Sequence, residues 1–167
     1  MKEVLIRPMD PGDNSGIAAL IRRVLDDMGV PKTGTTYADE SLDELYGFYS
    51  QPRAAYLVAE ADGRLLGGGG IAPLKAGSRD VCELQKMYFD SRIRGMGAGS
   101  RMLRQLLLIA EGFGYKQCYL ETMPYMETAQ NLYRKFGFEY LPAPMGNTGH
   151  HSCQIWMFLN LQTSRVR

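Results

Sequence analysis

The run Glu83-Leu84-Gln85-Lys86-Met87-Tyr88-Phe89-Asp90-Ser91-Arg92-Ile93-Arg94-Gly95-Met96-Gly97-Ala98-Gly99-Ser100 decides the fold of this chain. A predicted strand over Val81 to Phe89 leads into a glycine-rich turn, and a predicted amphipathic helix over Arg101 to Phe113 follows it. Such a turn directs several backbone N–H groups and the positive end of the helix toward one place. Glycines let a pyrophosphate approach the backbone and permit positive φ values. The stretch therefore predicts a phosphate-binding turn.

The spacing of this turn excludes two well-known nucleotide-binding motifs. A P-loop ends in Gly-Lys-Ser or Gly-Lys-Thr, whereas this turn ends in Gly99-Ser100 and has no lysine. A dinucleotide-binding fold needs Gly-x-Gly-x-x-Gly after its first strand. Here the glycines are Gly95, Gly97 and Gly99, and they follow the fourth predicted strand. Neither motif describes this turn.

Hydrophobic patterning along the whole chain predicts the element order β-α-α-β-β-β-α-β-α-β-β. The fold class expected from it is α/β, with a mixed, mostly antiparallel central sheet of about seven strands and helices on both faces. The second helix is predicted over Ser41 to Tyr49. The run Gly67-Gly68-Gly69-Gly70 lies inside the third predicted strand, where glycines usually mark a bulge or the close approach of another group. We interpret this run as a packing feature.

Length and charge limit the class of protein. The chain has 167 residues, which favours a single domain, predicted over residues 4–161 with a C-terminal tail at 162–167. Nineteen Lys and Arg residues against eighteen Asp and Glu residues give a net charge of +1, so we expect no nucleic-acid partner. No apolar run is long enough for a transmembrane helix, so we expect no membrane partner. The N-terminus does not resemble a signal peptide, and a cytoplasmic location is expected.

The cysteines give no sign of a metal or redox site. Cys82, Cys118 and Cys153 are far apart, and no Cys-x-x-Cys pair occurs. Cys153 lies near His150 and His151, but reduced thiols and loop histidines explain this cluster more simply. We expect no metal.

Two motifs in the correct order resemble those of one enzyme family. Arg94-x-x-Gly97-x-Gly99 matches the [Gln/Arg]-x-x-Gly-x-[Gly/Ala] motif of the GNAT superfamily, the acyl-CoA-dependent N-acyltransferases. The run Leu132-Tyr133-Arg134-Lys135-Phe136-Gly137-Phe138 resembles the Leu-Tyr-x-x-x-Gly-Phe signature of the same family. The predicted element order also resembles that of the family, from residue 4 to about residue 161.

The resemblance implies a coenzyme A site. The turn would hold the pyrophosphate through main-chain N–H groups, and the central strand, which the family separates from the next strand at a bulge, would pair with the pantetheine arm. Met126 stands where the family often has Asn, which puts one polar coenzyme contact in doubt. The coenzyme-binding residues implied are Met87, Tyr88, Phe89, Arg94, Gly95, Met96, Gly97, Ala98, Gly99, Ser100, Met126 and Ala129.

The resemblance further implies an N-acetyltransferase that uses acetyl-CoA as co-substrate and moves its acetyl group to a primary amine of a small molecule by direct attack. Tyr133 matches the family tyrosine that protonates the departing thiolate. No cysteine falls on the implied reaction positions, so a covalent enzyme intermediate has no obvious nucleophile.

The general base is open between three residues. Glu83 would share a face of the central strand with Gln85, Met87 and Phe89 if the alternation of that strand is unbroken. Gln85 occupies a position where some family members have Glu. The other candidates are Glu121 and one of the two adjacent histidines, His150 or His151, which cannot both face the site.

Some features leave the function and assembly open. Met126 and Gln85 would also suit an alternative, a non-catalytic acyl-CoA-binding sensor or interaction module on the same fold. The loops Pro31 to Asp39 and Leu141 to His151 are the expected acceptor loops, and they favour a small polar amine. An exposed last strand could pair between subunits and give a homodimer.

Overall fold

The structure of this protein, a computed structural model, describes residues 3–162. Its seven strands and four helices follow the predicted order. The predicted helix over 41–49 is instead a 3-10 turn at Glu40–Asp43 followed by a short helix. The strands are β1 Leu5–Pro8, β2 Ala55–Ala61, β3 Arg64–Pro73, β4 Val81–Phe89, β5 Gln117–Thr122, β6 Glu139–Leu141 and β7 Ile155–Asn160, and the helices are α1 Asn14–Asp27, α2 Leu45–Tyr49, α3 Ala98–Gly112 and α4 Glu127–Lys135.

The seven strands form one mixed sheet in the order β1-β2-β3-β4-β5-β7-β6. The β4–β5 pair is parallel and the other five pairs are antiparallel. One apolar cluster packs α1 and α2 on one face of the sheet, and a second packs α3 on the other, with Tyr133 of α4 in the α3 cluster. The predicted fold class is therefore confirmed.

Helices α1 and α3 bury the apolar stripes that predict them. A fully buried Leu or Ile side chain stabilises the fold by roughly 1.5–3 kcal/mol, so these two stripes supply much of the driving force for covering the sheet. The buried residues of α1 are Ile17, Ala18, Leu20, Ile21, Val24 and Leu25, and those of α3 are Ala98, Met102, Leu103, Leu106, Leu107 and Ala110.

The glycine run in β3 makes room for aromatic rings on the sheet. On the α1 face, the ring of Tyr56 lies across Gly68 and Gly70, where a Cβ would stand 2.6 Å from ring carbons. On the α3 face, Gly67 and Gly69 make the same room for Phe89 and Met87. The packing interpretation of this run is confirmed, because side chains from both faces occupy the space that β3 leaves free.

A bulge interrupts β4 at Lys86. Gly68 pairs with Tyr88 and Gly70 pairs with Gln85, so two residues of β4 stand opposite one residue of β3. Lys86 has a φ of 51°, in the left-handed region. The hydroxyl of Tyr56 donates a 3.0 Å hydrogen bond to the carbonyl oxygen of Lys86. Tyr56 thus holds the bulge, and its ring fits on β3 because Gly68 and Gly70 have no side chains.

Beyond the bulge, the sheet opens. In the described sheet, β4 and β5 pair at Val81–Glu83 with Gln117–Tyr119 and then diverge. The separation that the resemblance implies is therefore present. It leaves the last part of β4 with one edge free to pair with a ligand.

The last strand, β7, lies between β5 and β6, so it is not an exposed edge strand, and the homodimer stays a prediction. Residues 163–167 of the expected tail lie outside the described residues, and the domain limits stay a prediction. Over residues 3–162, no helix is both long and apolar enough to cross a membrane.

Gly70→Ala should lower the free energy of unfolding by about 1–3 kcal/mol, because the added methyl group meets the rings of Tyr56 and Tyr49. Urea denaturation measures this change. Gly47→Ala in α2 is the control, since its methyl group meets no heavy atom within 4 Å. Equal stability of the two variants would contradict the proposed role of the glycine run.

Candidate active site

A cleft of about 750 Å³ runs between the diverging strands β4 and β5. Its walls are the free part of β4, the glycine turn, the N-terminal half of α4, and parts of the two loops expected to bind the acceptor. Of the predicted site residues, fifteen line this one cleft: Glu83, Met87, Tyr88, Phe89, Arg94, Gly95, Gly97, Ala98, Gly99, Ser100, Glu121, Met126, Ala129, Tyr133 and His150. Met96, which is about half exposed, and the exposed His151 are not part of the cleft wall.

The glycine turn has the geometry of an anion site. Gly95 and Gly97 have φ values of 76° and 77°, and a Cβ at either position would project into open space. Gly97 is the N-cap of α3, so the N–H groups of the residues that follow it have no acceptor within the helix. Those free donors and the positive end of the helix dipole face the cleft from one side. The arrangement fits a pyrophosphate.

The bulge changes which residues of β4 share a face, so the expectation that Glu83 lies on the face of Met87 and Phe89 is wrong. Met87 and Phe89 pack with the α3 cluster. Glu83 hydrogen-bonds to Gln85, which in turn accepts from Tyr49 of α2 on the opposite face. One extra residue at the bulge shifts the alternation by one position.

Glu83 is a buried carboxyl group at the centre of the cleft. Glu83 is only 3% exposed, and the side-chain amide of Gln85 donates a 2.7 Å hydrogen bond to Oε2 of Glu83. Burial raises the pKa of Glu83 to about 7, against the lowering effects of the Gln85 hydrogen bond and the charge of His150. Some family members have Glu at the position of Gln85. In this chain, the amide of Gln85 positions the carboxyl group of Glu83.

Asp39 joins three segments in one ionic network. Its Oδ2 lies 2.6 Å from the ammonium of Lys86, at the bulge, and its Oδ1 lies 2.8 Å from Nε2 of His150. Burial tends to raise the pKa of Asp39, but the hydrogen bond from His150 and the charge of Lys86 lower it overall. Burial tends to lower the pKa of His150, but the hydrogen bond and charge of Asp39 raise it overall.

The two expected acceptor loops are joined above the cleft. Besides the Asp39–His150 contact, the backbone N–H of Ser152 donates to the carbonyl of Gly34 at 3.1 Å. The hydroxyl of Ser152 donates to the carbonyl of Thr33 at 2.9 Å. These contacts join the two segments next to the cleft-lining residues Thr35, His150 and Cys153.

Glu121 faces this half of the cleft from β5. Its oxygens accept hydrogen bonds from the hydroxyls of Tyr119, at 2.7 Å, and Thr148, at 2.8 Å. Glu121, His150 and Cys153 also bring one potential metal-ligating atom each within 4.8 Å of one another. Glu121 already accepts hydrogen bonds from two hydroxyl groups, and Nε2 of His150 already bonds to Asp39. The expectation of no metal stays a prediction.

Cys153 is a cysteine in the cleft wall that sequence reasoning left out of the reaction site. Burial, together with the charges of Glu121 and Glu83, raises the pKa of its thiol to about 12. The thiol therefore stays protonated at neutral pH and is a poor nucleophile.

Tyr133 and Met126 lie on the α4 side of the cleft. Tyr133 is buried in the α3 cluster, and burial raises its pKa, so its phenol stays protonated and able to donate. The sulfur of Met126 accepts from the hydroxyl of Thr122 at 3.3 Å. Where the family often has Asn, this chain therefore has an apolar surface.

Sequence reasoning missed Asp39 and Lys86 as parts of the site. Asp39 appeared only as the limit of an expected acceptor loop, and no local pattern distinguishes it from a surface aspartate. Lys86 did carry a signal, because a lysine inside a strand that is otherwise mostly apolar needs a buried partner or a bulge.

The chain matches known acetyltransferases in sequence. Residues 21–138 match the family model for the acetyltransferase (GNAT) family. The uncharacterized N-acetyltransferase YjgM of Escherichia coli is 44% identical over 158 residues, which cover 94% of this chain and 95% of that protein.

Solved structures show the same fold. An acetyltransferase of the GNAT family from Staphylococcus aureus gives a TM-score of 0.83 at 16% identity, over 95% of this chain and 99% of that one. A GNAT superfamily phosphinothricin acetyltransferase from Sinorhizobium meliloti was solved in complex with acetyl-CoA. It gives a TM-score of 0.74 at 17% identity, over 94% of this chain and 88% of that one.

Asp39→Asn should lower the free energy of unfolding by about 3–5 kcal/mol, because it leaves the buried ammonium of Lys86 without a counter-charge. Denaturant titration at neutral pH measures the change. Asp43→Asn is the matched control, since Asp43 forms a 2.7 Å ion pair with Arg22 at the surface and its loss should change stability little. Similar small effects of both substitutions would show that the network does not hold the loops.

Proposed function

The chain belongs to the acetyltransferase (GNAT) family, and on that premise we propose that it moves the acetyl group of acetyl-CoA to the primary amine of a small molecule by direct attack. One observation carries this proposal: a single cleft joins the glycine-lined N-terminus of α3 to the buried carboxyl group of Glu83. An anion site and a proton acceptor thus face the same gap between β4 and β5.

Acetyl-CoA would bind with its pyrophosphate at the glycine turn and its pantetheine arm along the free edge of β4. The open space above Gly95 and Gly97 would take the phosphate oxygens, with the N–H groups of Ala98, Gly99 and Ser100 as donors. A backbone N–H of β4 beyond the bulge would then donate to the thioester carbonyl oxygen. One such donor can stabilise a tetrahedral oxyanion by about 3 kcal/mol.

The reaction needs one proton acceptor and one proton donor. A primary amine is mostly protonated at neutral pH, so Glu83, as carboxylate, takes a proton from the ammonium. The free amine attacks the thioester carbon, and the carbon–sulfur bond breaks when the tetrahedral intermediate collapses. The phenol of Tyr133 donates its proton to the departing thiolate and regains one from the new amide nitrogen. The products are the N-acetylated amine and coenzyme A.

Glu83 suits the role of base better than the two other candidates. A base works best when its pKa lies near the working pH, and burial raises that of Glu83 to about 7. His150 is bonded through Nε2 to Asp39, which favours its protonated form. Glu121 already accepts hydrogen bonds from two hydroxyl groups.

Two contacts weigh against the alternative of a non-catalytic acyl-CoA-binding module. The amide of Gln85 donates to Glu83, so the cleft keeps a carboxyl group next to position 85. Met126 offers an adaptable apolar contact to the coenzyme. A homodimer, a cytoplasmic location and the absence of a nucleic-acid partner stay predictions.

Gly97→Glu should abolish binding of acetyl-CoA, because it places a carboxylate where the phosphates would lie. Calorimetric titration measures the affinity. Glu at Gly97 is also strained by the positive φ, so Ser100→Glu is the second variant, since an acidic residue in the first turn suits the helix and still repels phosphate. Normal affinity in a folded Ser100→Glu protein would contradict the placement of the pyrophosphate.

Glu83→Gln should lower kcat/KM by about 10²–10⁴-fold and leave the affinity for acetyl-CoA unchanged. In the unmodified protein, kcat/KM should rise with pH up to about 7 and then level off, because Glu83 accepts a proton only when ionised. The charged groups facing it are His150, Glu121 and Lys86. A pH–rate profile of both proteins measures this, with Glu111→Gln on the exposed side of α3 as control. Persistence of the rising limb in Glu83→Gln would assign it to another group.

A further inference from the structure

The charges in the acceptor half of the cleft indicate what kind of amine it binds, and this inference rests on the proposed function. Three carboxyl groups, those of Asp39, Glu83 and Glu121, lie on this side of the cleft together with the ammonium of Lys86 and the imidazole of His150. Lys86 and Nε2 of His150 both contact the same carboxylate, Asp39. Asp39 therefore has an ammonium and an imidazole as partners, whereas Glu83 and Glu121 have no ammonium or guanidinium partner among the described residues.

Neutral donors bond to Glu83 and Glu121. The amide of Gln85 donates to Glu83, and the hydroxyls of Tyr119 and Thr148 donate to Glu121. Within residues 3–162, no Lys or Arg nitrogen lies within 4.0 Å of either carboxyl group, and the nearest ionic contact of Glu121 is Nδ1 of His150, at 4.0 Å. A weakly compensated pair of carboxyl groups in a cleft attracts cations and repels anions.

The two carboxyl groups stand on neighbouring strands and on the same face. Glu83 pairs with Tyr119 in the parallel register, and Glu121 is two residues further along β5. Two residues correspond to about 6–7 Å along the strand, and the spacing of about 4.8 Å between the paired strands adds to this offset. Cys82, Leu84, Cys118 and Leu120 alternate with them and pack in the α3 cluster, so both glutamates face away from α3. This separation suits the two ends of a short aliphatic chain.

We propose that the acceptor is a short aliphatic diamine, with Glu83 receiving the proton of the reacting ammonium and Glu121 binding the ammonium at the far end. An acceptor with a carboxylate at its far end would instead meet Glu121. The ammonium of Lys86 already contacts Asp39, and His150 lies between Asp39 and Glu121, so neither group is left to bind such a carboxylate. Glu121 is thus a specificity-determining residue, and it favours a second positive charge.

Three amines of equal chain length test this inference in the purified full-length protein. They are butane-1,4-diamine, butylamine and 4-aminobutyrate, which carry an ammonium, a methyl group and a carboxylate at the far end. Release of coenzyme A from acetyl-CoA measures kcat/KM for each. We expect the diamine to exceed butylamine by at least tenfold, and 4-aminobutyrate to be the poorest acceptor.

Glu121→Gln isolates the role of the second carboxylate. The ratio of kcat/KM for the diamine to that for butylamine should fall to near one in this variant, because the neutral amide keeps the shape of the site and loses its charge. Glu139→Gln, on the exposed part of the edge strand β6, is the matched control and should keep the ratio of the unmodified protein.

The outcomes separate this inference from the proposed function. A kcat/KM for 4-aminobutyrate equal to or above that for the diamine would overturn the inference and uphold amine acetylation. A ratio that stays unchanged in Glu121→Gln would also overturn it. Absence of turnover with all three amines would overturn the diamine assignment, while a wide amine panel without turnover would overturn the proposed function as well.

Discussion

The hydrogen bond from the Tyr56 hydroxyl to the carbonyl of Lys86 holds the irregular point on which the rest of the site depends. At that point β4 carries one residue more than β3, and the strand turns its later side chains to the opposite faces. The ring of Tyr56 reaches this carbonyl because it crosses β3 over two glycines. In a regular β4, Glu83, Met87 and Phe89 would share one face of the sheet, so the carboxyl group and the two apolar side chains could not lie on opposite faces.

Lys86, the residue at the bulge, also holds the proposed acceptor side of the cleft together through its charge. Lys86 is buried, and its ammonium would be costly to leave unpaired. Asp39 neutralises it and at the same time bonds to His150, so the strand, the α1–α2 loop and the loop before β7 share one network. The backbone of the bulge thus sets the face of the later part of β4, and the ammonium of Lys86 at the bulge binds Asp39 on the other side of the cleft.

The two halves of the cleft use different chemistry, which explains why one is easier to recognise. The half proposed to bind coenzyme offers backbone N–H groups at a helix N-terminus, and backbone sites need a particular pattern of glycines. The half proposed to bind the acceptor offers side chains from four separate segments, because Asp39, Glu83, Glu121 and His150 stand far apart in the sequence. A backbone site leaves a local signature, whereas a site assembled from distant side chains leaves none.

The sequence by itself determined the element order, the fold class, the family and the position of the glycine turn before α3, because hydrophobic periodicity and the glycine pattern are local. It also identified the glycine run of β3 as a packing feature. Only the tertiary structure decided the face of Glu83, since the bulge at Lys86 depends on a ring from β2 and a glycine surface on β3. The tertiary structure likewise placed β7 inside the sheet and brought Asp39 to Lys86 and His150. These outcomes depend on contacts between residues distant in the chain, and a local pattern contains no information about such contacts.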